Sequence, residues 1–180
     1  MLELGGKYRG LVPQCYEGGR QAMKRTKAIQ ILEDAKIPYE LTSYEGEGFV
    51  SAVDVAHKLN VSPDAIFKTL VARGERTGVV LALVPGDRTL DLRKLAHLMG
   101  DKRAEMVDSS ELPRLTGYIR GGVSPLGGKR DYPTFVDESA FQNERIYVSA
   151  GVRGVQIKLA PADLVKITRA TTAGIVEQSR

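Results

Sequence analysis

Apolar positions recur at helical spacing from Ala28 through Ile29, Ile31 and Leu32 to Ala35. Pro38 then ends the pattern before an extended run from Tyr39 to Tyr44. Ser51, with Asp54 three residues later, has the form of a capping box for a helix that buries Val53, Val55, Ala56 and Leu59. Ser62-Pro63-Asp64 opens a short turn, and Ile66 to Ala72 reads as a strand. The runs Lys68–Ala72 and Val79–Val84, joined by the polar connector from Gly74 to Gly78, predict an antiparallel pair of buried strands at the centre of a sheet.

Asp91 caps a predicted helix that runs to Met99 and stops at Gly100. Ala104 to Val107 returns as a strand before a short helix around Glu111–Leu115. Between Gly117 and Arg130 the pattern breaks: five glycines and Pro125, with Ile119 and Val123 as apolar interruptions, predict a loop held by backbone geometry. Phe135–Asp137, Ile146–Val148 and Val155–Leu159 read as strands, and Pro161 begins a helix to about Ile167. Strands and helices interleaved in this way predict a mixed α/β domain, without internal repeat or heptad pattern.

At 180 residues the chain is the size of one domain rather than two. Residues 1–22 contain Gly5, Gly6, Gly10, Gly18 and Gly19 without periodicity, and are expected to be an extension or a cloning remnant, with the folded domain spanning 23–180. The net charge is +4; Lys7, Arg9 and Arg20 nearly balance Glu3 and Glu17 in that first segment, so the excess belongs to the domain. A mild basic excess suits contact with a polyanion without requiring it. One cysteine, Cys15, excludes an intrachain disulfide, and with only His57 and His97 beside it a tetrahedral zinc site has too few ligands, so neither metal nor other cofactor is expected. With no apolar run of membrane-spanning length and no signal peptide, a soluble cytoplasmic protein is expected.

A built-in triad finds no support. Cys15 lies in the glycine-rich extension, while His57 and His97 fall on predicted helices beside no nucleophile and read as surface imidazoles. The loop Gly121-Gly122-Val123-Ser124-Pro125-Leu126-Gly127-Gly128 lacks the Gly-Lys-Ser/Thr ending of a phosphate-binding P-loop and the dinucleotide-binding glycine spacing. Its glycines allow backbone N–H groups to approach a ligand carbonyl closely, although a plain structural turn accounts for them as well. A second element, Ser149-Ala150-Gly151-Val152-Arg153-Gly154, reads either as a bulged hairpin or as a turn presenting Arg153 to a phosphate beside the Ser149 hydroxyl. Lys68, in the apolar run Ile66–Val71, has either an outward-facing stem or, with Thr69, a place at a pocket mouth.

Ile66-Phe67-Lys68-Thr69-Leu70, Thr116-Gly117-Tyr118 leading into Gly121–Gly127, and Val148–Gly154, in this order, resemble the YbaK/EbsC group of free-standing aminoacyl-tRNA deacylases. This group is related to the editing domain inserted in bacterial prolyl-tRNA synthetases. The resemblance implies a single α+β domain with a mixed, curved, mostly antiparallel sheet packed by several helices. It also implies removal of cysteine from Cys-tRNA(Pro), with Cys-tRNA(Cys) as a further substrate, by attack of the substrate's own thiol on its ester. Lys68 and the backbone donors of Gly121 and Gly122 are then the catalytic groups. Tyr44, Phe49, Thr69, Ser124, Pro125, Ser149, Gly151 and Arg153 line the substrate, with Tyr44 stacking on the terminal adenine; Phe49 has the alternative of a staple on the following helix. Gln156 stands where some relatives carry an acidic side chain, so a carboxylate base is excluded there.

The partners so implied are the 3′ end of an aminoacyl-tRNA and prolyl-tRNA synthetase, not DNA or a membrane. Two other functions fit the same features: a deacylase for alanine on the same tRNA that uses water, and a non-catalytic module that binds tRNA or a synthetase.

Overall fold

The computed structural model of the protein describes residues 25–46 and 48–178. The expectations for residues 1–22 and Cys15 lie outside the described residues. Helix α1 (Lys27–Asp34) starts where Thr26 Oγ1 accepts from the Ile29 N–H, and it buries Ala28, Ile29 and Leu32. After strand β1 (Glu40–Ser43), α2 (Ala52–Leu59) begins at Ser51, whose Oγ accepts from the Asp54 N–H, as the capping pattern predicts. A single 3-10 turn leads into β2 (Phe67–Gly74), which pairs along its whole length with β3 (Gly78–Pro85). Next come α3 (Leu92–Met99), capped by Asp91 and ended by Gly100, then β4 (Ala104–Met106) and α4 (Leu112–Thr116). Beyond the glycine loop lie β5 (Thr134–Asp137), β6 (Ile146–Ser149), β7 (Val155–Leu159), α5 (Pro161–Thr168) and β8 (Thr171–Ala173).

The mixed α/β class is as expected, but hydrogen bonding divides the strands into two sheets. One has the order β4-β2-β3-β5-β8, with β3–β5 and β5–β8 parallel; the other is the antiparallel β1-β7-β6. They meet at one parallel bridge, Ile66 with Tyr147. The hydrophobic pattern does not disclose β8, because Thr171-Thr172-Ala173 has no apolar alternation. Its position is fixed by pairing with β5 and by buried Asp137, whose Oδ2 accepts from the Ile175 N–H at 2.8 Å. The short 3-10 helix Glu138–Gln142 escaped the pattern for the same reason.

Four apolar clusters result. The largest joins α1 and α5 to both sheets through Leu32, Phe67, Leu83, Ile157 and Leu164. Each of these large side chains, fully buried, is stabilising by about 2 kcal/mol. A second packs α3 on the five-stranded sheet, and a third packs α2 against Ile66 and Tyr147, where the sheets meet. The fourth ties α4 and Val123 of the glycine loop to Val71 and Leu81. Among the described residues no helix is long and apolar enough to cross a membrane.

Candidate active site

Alternation along the strands sorts the candidate residues. On β7, Ile157 and Leu159 enter the main core, so Gln156 points to the other face. Register places Thr42 and Ser149 directly across from Gln156, one on each side, which makes a row of three polar residues on the face where Tyr44 and Tyr147 meet α2. Lys68 belongs to the same region. It lies two residues beyond Ile66, whose isolated parallel bridge to Tyr147 ties the start of β2 to β6.

The Lys68 ammonium donates to the carbonyl of Gly86 at 3.1 Å. That carbonyl is held by close packing: a Cβ on Gly86 would stand 3.0 Å from the Ala52 Cβ and 3.1 Å from the Pro63 oxygen. Burial pushes the Lys68 pKa below its ordinary 10.5, and Asp87 opposes this. Lys68 is therefore a half-buried cation with one protein partner and spare donors.

The two glycine bends close on each other. The Arg153 Nε–H donates to the Arg120 carbonyl at 2.9 Å, and the Arg120 guanidinium lies 4.4 Å from the Phe49 ring centroid. Gly121 adopts φ 85°, and a Cβ there would come within 3.2 Å of Phe49 Cδ2 and 3.4 Å of Arg153 Nε; a Cβ on Gly122 would stand 3.4 Å from the Arg153 N. The Tyr44 N–H donates to the Gly154 carbonyl at 2.9 Å, and the Ser149 Oγ accepts from the Gly151 N–H at 3.2 Å. Tyr44, Phe49, Gly121, Gly122, Ser149, Gly151 and Arg153 thus form one assembly where the two bends meet the end of β1.

Three expectations change. The Gly122 N–H donates to the Ile119 carbonyl at 2.9 Å, so it is spent in a turn, while the Gly121 N–H has no partner among the described residues. Thr69 shares the β2 face with Phe67 and Val71, opposite Lys68, and its Oγ1 is enclosed without a hydrogen-bond partner among the described residues. Ser124 and Pro125 are buried too: the Ser124 Oγ accepts from the Leu126 N–H at 3.2 Å, and both line a cavity of about 270 Å³ with Leu81, Thr134 and Arg169 rather than with Lys68. Sequence reading passed over Arg120 and Gly86, whose roles rest on carbonyls placed by the fold. His57 and His97 are exposed on their helices, and no cluster of three potential metal ligands occurs among the described residues.

The sequence matches the model of the aminoacyl-tRNA editing domain over residues 47–167. The chain belongs to the aminoacyl-tRNA editing-domain family. It is 43% identical over 157 residues, 87% of this chain and 96% of the relative, to the Enterococcus faecalis (strain ATCC 700802 / V583) protein named "Putative Cys-tRNA(Pro)/Cys-tRNA(Cys) deacylase EbsC". It is 25% identical, over 85% of this chain and 93% of the relative, to the "Multifunctional Ser/Thr-tRNA deacylase ProXp-y" of Escherichia coli (strain K12). Among solved structures, the "Crystal structure of a putative trans-editing enzyme for prolyl tRNA synthetase" superposes with TM-score 0.75 at 26% identity, covering 84% of this chain and 96% of that one. The resemblance drawn from Lys68, the glycine loop and the Ser149–Gly154 bend is borne out at the level of the family, and the two bends lie against each other.

Proposed function

We propose that the chain is a trans-acting aminoacyl-tRNA deacylase that removes cysteine from Cys-tRNA(Pro), and from Cys-tRNA(Cys), in the cytoplasm. What supports this reading is membership of the editing-domain family together with two glycine bends that close on each other and, among the described residues, bring no cysteine or histidine with them. An editing site without its own nucleophile suits a substrate that brings one. The cysteine sulfur, after losing its proton to solvent, attacks the ester carbonyl carbon. The bond from that carbon to the ribose oxygen breaks, the ribose oxygen takes up a proton, and a four-membered thiolactone leaves.

The free Gly121 N–H supplies a donor for the developing oxyanion, and Lys68 orients the ester or the terminal nucleotide. Phe49 and Tyr44, with the Arg120 and Arg153 guanidinium groups, suit a flexible single-stranded end: aromatic faces for bases and cations for phosphates. Selection of one tRNA is then assigned to docking on prolyl-tRNA synthetase.

Deacylation of cysteinyl-, S-methylcysteinyl- and alanyl-tRNA(Pro) tests the mechanism. Cysteine release that is lost on methylation supports it, whereas removal of alanine at the same rate as cysteine replaces it with attack by water. The kinship with a relative named for Ser/Thr-tRNA favours that water reading as the second choice. Lys68→Ala is expected to abolish turnover; tight tRNA binding without turnover by the unmodified chain would leave a binding module only.

A further inference from the structure

The cavity of about 270 Å³ behind the glycine loop is separate from the site around the two bends: neither Lys68, Tyr44, Phe49 nor Arg153 lines it. Its walls are held in place by the fold. A Cβ on Gly127, at φ 73°, would stand 2.7 Å from the Lys27 Cβ, so the loop is pressed onto α1. The Lys129 N–H donates to the Thr116 carbonyl at 3.0 Å, and the Tyr132 hydroxyl donates to the Leu115 carbonyl at 3.0 Å. Ile31, Leu81, Leu126 and Ile167 give the lining its apolar part. Ser124, 2% exposed, accepts from the Leu126 N–H, and its own hydroxyl proton has no acceptor among the described residues. Three exposed charged residues, Arg130, Asp131 and Arg169, complete the lining. Two cations and one carboxylate thus border one cavity, yet among the described residues none of the three side chains makes an ion pair or a hydrogen bond.

We propose that this cavity is a second binding site, and that it takes a free α-amino acid with a small side chain, bound as the zwitterion. The proposal goes beyond the deacylase reading and does not rest on it. Arg130 and Arg169 suit a carboxylate, which the planar guanidinium meets with paired N–H donors, and Asp131 suits the ammonium one carbon away. The side chain then faces the apolar wall, with the Ser124 hydroxyl left to donate to the carboxylate or to a polar side chain. Inorganic phosphate fits less well, since its second negative charge would face Asp131, and an apolar compound would leave all three charges unused. The volume is smaller than the roughly 300–1,000 Å³ of sites for drug-sized ligands, which favours a molecule of amino-acid size over a nucleotide.

The test is a chemical-shift titration of the ¹⁵N-labelled full chain with L-alanine, and with N-acetylalanine, alaninamide and inorganic phosphate as probes that lack one charge or carry the wrong ones. Alanine is expected to saturate and to move the amides of Ser124, Gly128, Asp131 and Arg169, while those of Tyr44 and Gly154 at the other site stay in place. The three other probes should bind at least about tenfold more weakly, each lacking a charge-assisted contact or meeting a repulsive one. Arg169 ends α5 at φ 52°, a conformation that glycine adopts readily, so Arg169→Gly should stay folded and raise the Kd for alanine by about tenfold or more. Asp131→Asn should weaken alanine to the level of N-acetylalanine and leave N-acetylalanine unchanged. No saturable shift, shifts confined to the amides around Tyr44 and Gly154, phosphate binding as tightly as alanine, or unchanged alanine affinity in both variants overturns the proposal. Since the readout is binding alone, failure to deacylate any aminoacyl-tRNA would overturn the deacylase reading and leave this site standing.

Discussion

Replacing Gly151 with alanine probes the join between the two bends. Gly151 has φ 92°, and an added Cβ would stand 2.8 Å from Tyr118 Cε1. The backbone conformation alone costs a non-glycine residue about 1–2 kcal/mol. The Tyr118 ring must then shift by roughly half an ångström to restore ordinary contact, which strains the 2.6 Å hydrogen bond from its hydroxyl to the Leu126 carbonyl. Losing that bond costs about 1 kcal/mol. Reduced entropy of the unfolded chain returns about 0.5 kcal/mol. The expected loss is about 2 kcal/mol, or roughly 4–8 °C in melting temperature for a chain of this length.

Urea unfolding of Gly151→Ala, Tyr118→Leu and the double variant measures the share due to the ring. With the ring gone only the backbone cost should remain, leaving a coupling of about 1 kcal/mol, above the few tenths expected of independent sites. Additivity of the two single variants would refute the reasoning, because it would mean that Tyr118 does not hold the bends together.

Gly127→Ala should cost more, about 3 kcal/mol by urea unfolding, since its Cβ at φ 73° would lie 2.7 Å from the Lys27 Cβ and 2.9 Å from the Ala28 N, and a helix must move instead of a ring. Arg120→Ala and Arg153→Ala should leave folding intact and each flatten the dependence of log kcat/KM on log salt by about 0.7, as expected when one contact to a single-stranded phosphate is lost. Because burial lowers the Lys68 pKa, deacylation corrected for spontaneous hydrolysis should fall, as pH rises, at a pH below the ordinary lysine value of 10.5. For Asp101, burial acts to raise the pKa, but the N–H groups of Thr77 and Arg76 and their side chains outweigh it and hold the carboxyl below 3.8. The contribution of this carboxylate is thus present above the ordinary range and lost as pH falls through its folded value, so acid unfolding of Asp101→Asn should be less pH-dependent than that of the wild type.

The sequence by itself determined what depends on neighbours along the chain. Caps at Ser51 and Asp91, the stop at Gly100, the central hairpin and the identity of the three motifs all follow from short-range spacing, because helix ends and paired strands satisfy their hydrogen bonds locally. Tertiary structure alone decided what those motifs face. Whether the Gly121 or the Gly122 N–H is free depends on a carbonyl at Ile119. Lys68 and Thr69 part company because adjacent strand residues point to opposite faces, and Thr42 joins the hairpin pair Gln156–Ser149 only because β1 pairs with β7, more than a hundred positions along the chain. The division into two sheets and the edge strand β8 were settled likewise by long-range hydrogen bonds, which leave no periodic mark on the residues that make them.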